Sequence, residues 1–278
     1  MSLPLIERLP REIRFGTPLL LAPGAFCGTW VWEDRFLDAF ADAGFRSYAM
    51  QFRGHGGSWL GRQRFGLEDY VDDLEAAIAQ LPARPVLIAH SLGALAAIRL
   101  LTRIALPGAV LMAPVPPDGV RRSMLRLARI SPASVAKLAS IAIYPPVRHL
   151  TEPPIGMYSD RLAPEERLSI TRRLAGESTR ALLESLVPVR LNDRLRSTPI
   201  HVIGAEGDAV IAPTDVRRCA RLLGASVEVL PGRSHMLMAE PGWQQITTGI
   251  IRWIKSTTGR RSSRAPSWRR PRDSQGSA

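Results

Sequence analysis

Residues 85–101 read PVLIAHSLGALAAIRLL, and the reading of this stretch decides the fold. Val86, Leu87 and Ile88 form an apolar run without polar alternation, which predicts a short strand buried on both faces. From Ala94 to Leu101 alanine and leucine dominate, which predicts a helix. His90 and Ser91 interrupt the passage between the two, and Gly93 follows them. A polar pair at an apolar strand-to-helix junction must be satisfied by its surroundings or else do chemistry.

Working outward, comparable apolar runs recur as PLLLA (18–22), RSYAMQF (46–52), GAVLMAP (108–114), PIHVIG (199–204) and SVEVL (226–230). Helical patterns fall between them, over 33–43, 67–81, 92–103, 213–223 and 241–255. This alternation predicts an α/β fold in which a mostly parallel central sheet is flanked by helices. The interval 114–198 breaks the rhythm. It carries no convincing strand, and VRRSMLRLARI, ASVAKLASIAIY and PEERLSITRRLAGESTRALLESL all show helical spacing. An insertion at a strand's carboxyl end sits over the ligand crevice of an open α/β sheet. Residues 1–115 and 196–256 are therefore expected to form the core, with 116–195 inserted as a helical cap. Residues 257–278, rich in Arg, Ser and Pro, are expected to be a basic, disordered tail.

The chain of 278 residues has a net charge of +12, unevenly placed. Between Pro114 and Arg196 fourteen basic residues face eight acidic ones, and the end of the chain from Ser256 sets six arginines against Asp273. In the insertion the arginines fall on amphipathic helical patterns, so a solvated face is the expected reading and no specific nucleic-acid partner is implied. No run is long and apolar enough for a membrane span, and the N-terminal stretch lacks the apolar run of a signal peptide. Two cysteines, Cys27 and Cys219, make no disulfide framework. These features fit a cytoplasmic protein. No Cys/His cluster has ligand spacing and no Gly-rich phosphate loop is present, so neither a metal nor an organic cofactor is expected.

Ser91 lies in A-H-S-L-G, close to the G-x-S-x-G pattern of a nucleophile elbow, in which small neighbours let a strained serine stand above the sheet. A bland helix-capping serine is the competing reading. A serine hydroxyl needs a base, and the base needs a third group to orient it. His90 adjoins Ser91 and is read as structural. His55 lies in a loop, His201 in a strand and His149 in the insertion. His235, in LPGRSHMLMAEPGW after the last strand, is the candidate base. Asp208 in HVIGAEGDAVIAP is the candidate acid, with Glu206 its competitor. The oxyanion is expected to meet the backbone N–H groups of Leu92 and of Ala25, in LLLAPGAFCGTWVW, with Phe26 competing for the second role.

Five segments, APGAFCGTWVW, QFRGHGGS, AHSLGA, GAEGDAVIAP and GRSHMLMAEPGW, together resemble the α/β-hydrolase superfamily over residues 18–255. The resemblance implies an α/β-hydrolase fold with a helical cap, Ser91 as nucleophile, Asp208 as acid and His235 as base. The family's Asp-x-Arg-Gly-x-Gly-x-Ser segment appears as residues 51–58, where Gln51 replaces the acid while Arg53, Gly54, Gly56 and Ser58 match; we read it as structural. Pro23 stands where relatives often carry histidine, and Ala89 replaces the elbow's first glycine. Few residues precede the first clear strand, which leaves little room for the usual leading hairpin. The expected activity is that of an esterase- or lipase-like serine hydrolase acting on an apolar small-molecule acyl substrate. An acyltransferase, thioesterase or carbon–carbon hydrolase would use the same triad, and a catalytically silent scaffold would keep the fold alone. Met124, Leu125, Leu127, Ile141, Ile143, Tyr144, Met157 and Tyr158 are candidates to line an acyl pocket, or to pack as the insertion's own core.

Overall fold

The computed structural model describes residues 4–33, 35–55, 64–143 and 150–258. Seven strands, β1 (Leu5–Arg8), β2 (Phe15–Ala22), β3 (Phe45–Met50), β4 (Val86–His90), β5 (Gly108–Met112), β6 (Ile200–Ala205) and β7 (Ser226–Leu230), form one sheet in the order β1-β3-β2-β4-β5-β6-β7. β1 runs antiparallel to β3, and every other pairing is parallel. All six expected strands are present. β1 is an addition: a four-residue edge strand, mostly exposed and carrying charge, has none of the continuous apolar signal that marks a central strand. It occupies the short leader that left little room for a hairpin.

Strand side chains alternate between two apolar faces, as the period of two requires. Leu20, Leu87, Leu111 and Val202 face one core cluster, and Leu19, Leu21, Val86, Ile88 and Val110 face the other. The first cluster is closed by helices Leu67–Gln80, Ser91–Leu101 and Pro213–Leu223. The second is closed by helix Phe36–Asp42 and the final helix Trp243–Thr258, through Phe36, Phe40, Ile246 and Ile250. Burying apolar surface on both faces, at about 25 cal/mol per Å², is what holds the central strands so close to one another in register. In that register Ala22 pairs with Ala89, Ala89 with Leu111 and Met112 with Ile203. The carboxyl ends of four strands therefore lie side by side.

Between β5 and β6 the described residues form helices Arg121–Ile130, Pro132–Ile143, Pro164–Thr171 and Thr179–Glu184 and a 3-10 turn Asp193–Ser197, with no strand among them. Helical spacing over 164–186 predicts one long helix, but the structure breaks it at 174–178. Leu174 docks into the second core cluster there, and Glu177 is drawn into the interior. Tertiary contacts outweigh the weak local helix signal. The final helix runs to Thr258, two residues into the segment expected as tail, and residues 259–278 lie outside the described residues. Among the described residues no helix is long and apolar enough to cross a membrane, and no group of His, Cys, Asp and Glu is placed to hold a metal ion.

Candidate active site

Ser91 follows β4 directly and opens the helix Ser91–Leu101. Its φ of +49° is a left-handed conformation that costs a non-glycine residue about 1–3 kcal/mol unless its surroundings hold it. Two glycines allow that conformation to exist. A Cβ on Gly93 would stand 2.1 Å from the Pro23 carbonyl oxygen, and one on Gly24 would meet His90 Nδ1 at 2.5 Å and Ser91 Cβ at 2.9 Å. The loop after β2 thus lies directly against Ser91. Ala89, fully buried and paired with Ala22 and Leu111, fits the first elbow position without a glycine. Among the described residues, the three non-glycine positions with positive φ are Phe26, Ser91 and Ala113. They follow β2, β4 and β5, three neighbouring strands, so backbone strain is concentrated at one end of the sheet.

The structure brings Ser91, His235 and Asp208 together. The Ser91 hydroxyl donates to His235 Nε2 at 3.1 Å, and His235 Nδ1 donates to Asp208 Oδ2 at 2.8 Å. The other Asp208 oxygen accepts the backbone N–H groups of Val210 and Ile211, both at 2.8 Å, which fixes the carboxylate's orientation. All three residues are buried. Glu206, the competing acid, points to solvent. The chemistry available is clear: a carboxylate holds the imidazole in the tautomer whose free nitrogen faces a hydroxyl.

His90 does more than fill space. Its Nε2 donates to the His235 carbonyl at 3.0 Å, and the two rings lie 4.9 Å apart. Burial, reinforced by the neighbouring His235, pushes its pKa well below the ordinary histidine value, so the ring stays neutral. His201 stacks on Trp253 and bonds Ser226, away from the site. His149 lies outside the described residues.

Of the oxyanion candidates, Phe26 has its N–H taken, accepted by the Glu177 carboxylate at 3.3 Å. No hydrogen bond within the described residues engages the N–H of Ala25 or of Leu92. Glu177 is the residue that sequence reasoning missed. It is fully buried and also accepts His55 Nε2 at 3.0 Å, the Tyr70 hydroxyl at 2.5 Å and the Ser178 N–H at 2.7 Å. Burial alone would raise its pKa. The His55 ring and the hydrogen bonds from His55, Tyr70 and Ser178 outweigh that effect and hold the carboxyl below the usual range. Cys27 beside this cluster is pushed up, by burial first and then by Glu177. The only sequence signal for Glu177 is the AGES break in an otherwise helical pattern.

The segment 51–58 is structural in part, as expected. Arg53 bonds Asp73, with Nε at 2.6 Å, and the Gln51 amide donates to the His55 carbonyl. Gly56 and Ser58 lie outside the described residues. Further contacts join the insertion to the loop that carries His235 and Glu240. His235 N–H donates to the Gly156 carbonyl at 3.1 Å and Met236 N–H to the Met157 carbonyl at 3.0 Å. Ser159 caps the buried Glu240 through its N–H at 2.8 Å and its hydroxyl. Of the candidate pocket residues, Leu127, Ile141, Met157 and Tyr158 pack as core, and Leu125 is 53% exposed. The Ile143 side chain and Tyr144 lie outside the described residues.

The chain belongs to the alpha/beta hydrolase family, whose model matches residues 19–243. Solved structures agree on the fold. It is similar to a bromoperoxidase from Bacillus anthracis (17% identity, 90% of this chain and 94% of that one covered, TM-score 0.66). It is also similar to a thermophilic esterase from Thermogutta terrifontis (19% identity, 92% and 94% covered, TM-score 0.66). A third likeness is the enol-lactonase from Burkholderia xenovorans (17% identity, 90% and 96% covered, TM-score 0.63). No curated protein matches the sequence.

Proposed function

We propose that the protein is a serine hydrolase that cleaves a carboxylic ester, or a related acyl bond, through an acyl-enzyme intermediate. The observation that carries this reading is the unbroken relay from Asp208 through His235 to a Ser91 strained above the sheet. His235 takes the proton of Ser91 as the oxygen attacks the acyl carbon. The N–H groups of Ala25 and Leu92 receive the charge that develops on the carbonyl oxygen. His235 then gives its proton to the departing alkoxide, and the C–O bond breaks. Water, deprotonated by the same imidazole, attacks the acyl-serine and releases the acid. In this reading residues 116–195 act as the cap over the acyl group, and the esterase and lactonase names among the structural neighbours support the substrate class.

The test is labelling by a fluorophosphonate, with the modified peptide mapped by mass spectrometry, alongside hydrolysis of p-nitrophenyl esters of increasing chain length. Labelling at Ser91 and ester turnover are expected, and both should vanish in Ser91→Ala and His235→Ala. A folded wild-type protein that neither labels nor turns over esters would leave a scaffold without this activity.

A further inference from the structure

We infer that Glu177, carried in by the helical insertion, is a positioning residue for the oxyanion loop: its carboxylate holds Phe26 so that the preceding N–H, that of Ala25, faces the reacting carbonyl oxygen. The inference rests on the hydrolase reading above and deepens it. Phe26 is gripped on both sides by one short segment. Its N–H donates to Glu177 Oε2 at 3.3 Å, and its carbonyl accepts the Ala175 N–H at 2.7 Å. Both bonds come from the break between helices Pro164–Thr171 and Thr179–Glu184. Phe26 sits at φ +67°, a conformation a phenylalanine keeps only when its surroundings impose it. Gly24, two residues earlier, is packed against His90 and Ser91. The loop is therefore fixed at one end by the nucleophile's own neighbourhood and at the other by the insertion. Ala25 lies between these two anchors.

A charged carboxylate is needed because, among the described residues, each of its oxygens already accepts two donors. Oε2 receives Phe26 N–H and His55 Nε2, and Oε1 receives the Tyr70 hydroxyl and the Ser178 N–H. Glutamine offers one acceptor oxygen and one donor group, so either orientation of Glu177→Gln sets an amide N–H against two donors. These donors explain how an anion can sit near a developing oxyanion without opposing it: its charge is spread into His55, Tyr70 and the backbone. Left unsatisfied in this buried place, the donors of a disrupted cluster would pull the loop towards other partners.

The experiment compares wild type, Glu177→Gln, Glu177→Asp and Ser123→Ala. Ser123 donates to Asp215 at 2.7 Å, another buried bond between insertion and core, and touches neither the triad nor Phe26. In p-nitrophenyl ester hydrolysis Glu177→Gln should lower kcat by about 100-fold, as expected when a donor is displaced from the oxyanion, with KM within about threefold. Affinity for a trifluoromethyl ketone, whose adduct carries the oxyanion, should fall in parallel. Glu177→Asp, which keeps the charge but shortens the reach, should show a smaller loss of the same kind, and it carries the test if Glu177→Gln does not fold. Ser123→Ala should lower thermal stability and leave kcat unchanged. Hydrogen exchange over residues 23–30 should speed up in both Glu177 variants but not in Ser123→Ala, a readout that needs no turnover. An inactive wild type would end the hydrolase reading. An active wild type with kcat and exchange unchanged in folded Glu177 variants, or an equal loss of kcat in Ser123→Ala, would overturn the role of Glu177.

Discussion

The loops that follow β2, β4 and β6 converge on one serine, and the helical insertion between β5 and β6 reaches the loop beside it by different means. The loops inherit their positions from the sheet. Ladder register aligns the strands' carboxyl ends, so Gly24, Ser91 and Asp208 need only a few residues of turn to converge. The insertion has no ladder to follow. Besides apolar side chains such as Leu174, Ile141 and Met157 in the second core cluster, its polar attachments are individual hydrogen bonds, many of them to carboxylates: Glu177 to Phe26, His55 and Tyr70, Glu184 to the Leu67 N–H at 2.7 Å, and Glu240 to Ser159. A position set by register survives small changes in any one side chain, because many backbone bonds share it. A contact set by one buried carboxylate depends on that one residue, since the donors it abandons each cost about 1–3 kcal/mol.

The comparison can be broken first at the relay itself. Asp208→Asn keeps the bonds' geometry but lets an amide N–H face His235, favouring the wrong tautomer. A fall in kcat of about 10⁴-fold is expected in steady-state ester hydrolysis. A loss of less than tenfold would mean that the strand-end loops do not carry the chemistry. The next effect is on folding. Gly93→Ala drives a Cβ to 2.1 Å from the Pro23 carbonyl oxygen, so the elbow helix or the β2 loop must move. Urea unfolding should show about 1–3 kcal/mol of lost stability, and an unchanged midpoint would show that the two loops are not packed as described.

The smallest effect is one of pH. His90 is held neutral in the fold, with its pKa pushed well down by burial and by His235. In the unfolded chain it takes up a proton near its ordinary value of about 6.5. A histidine whose folded pKa is lowered binds fewer protons folded than unfolded, so its contribution is present above that pH and is lost as the pH falls below it. The slope is at most about 1.4 kcal/mol per pH unit for this one group. Denaturant unfolding between pH 7.5 and 5.5 should show the decline, and His90→Asn should flatten it. An unaltered slope in the variant would assign the decline to other groups, such as the half-buried His201, whose pKa is also lowered.

How much of this was legible follows from where each signal is stored. The central strands were readable because burial on both faces writes a largely apolar run. Edge strand β7, though mostly exposed, still carries Val227, Val229 and Leu230, whereas the exposed β1 writes only a short, charged segment. Ser91, Asp208 and His235 were readable because the same topology that places them at strand ends also orders them along the chain. The choice between Asp208 and Glu206 needed the structure. Two acids two residues apart differ little as text, and only the turn that aims Asp208 inward and leaves Glu206 in solvent separates them.

The engagement of the Phe26 N–H by Glu177 was decided by tertiary structure alone. Glu177 lies 151 residues from Phe26 and 122 from His55 in sequence, and no local pattern links them. Its own stretch read as helix. What turned it inward was a cluster of donors assembled from separate elements, and a buried donor's demand for an acceptor is not written in any window of neighbouring residues. The sequence by itself therefore determined the layered α/β architecture, the strand-to-helix turn at Ser91 and the order of Ser91, Asp208 and His235, since these rest on periodicity and on chain order. Tertiary structure alone decided how the insertion grips the loop beside Ser91, because that depends on which polar groups are buried together.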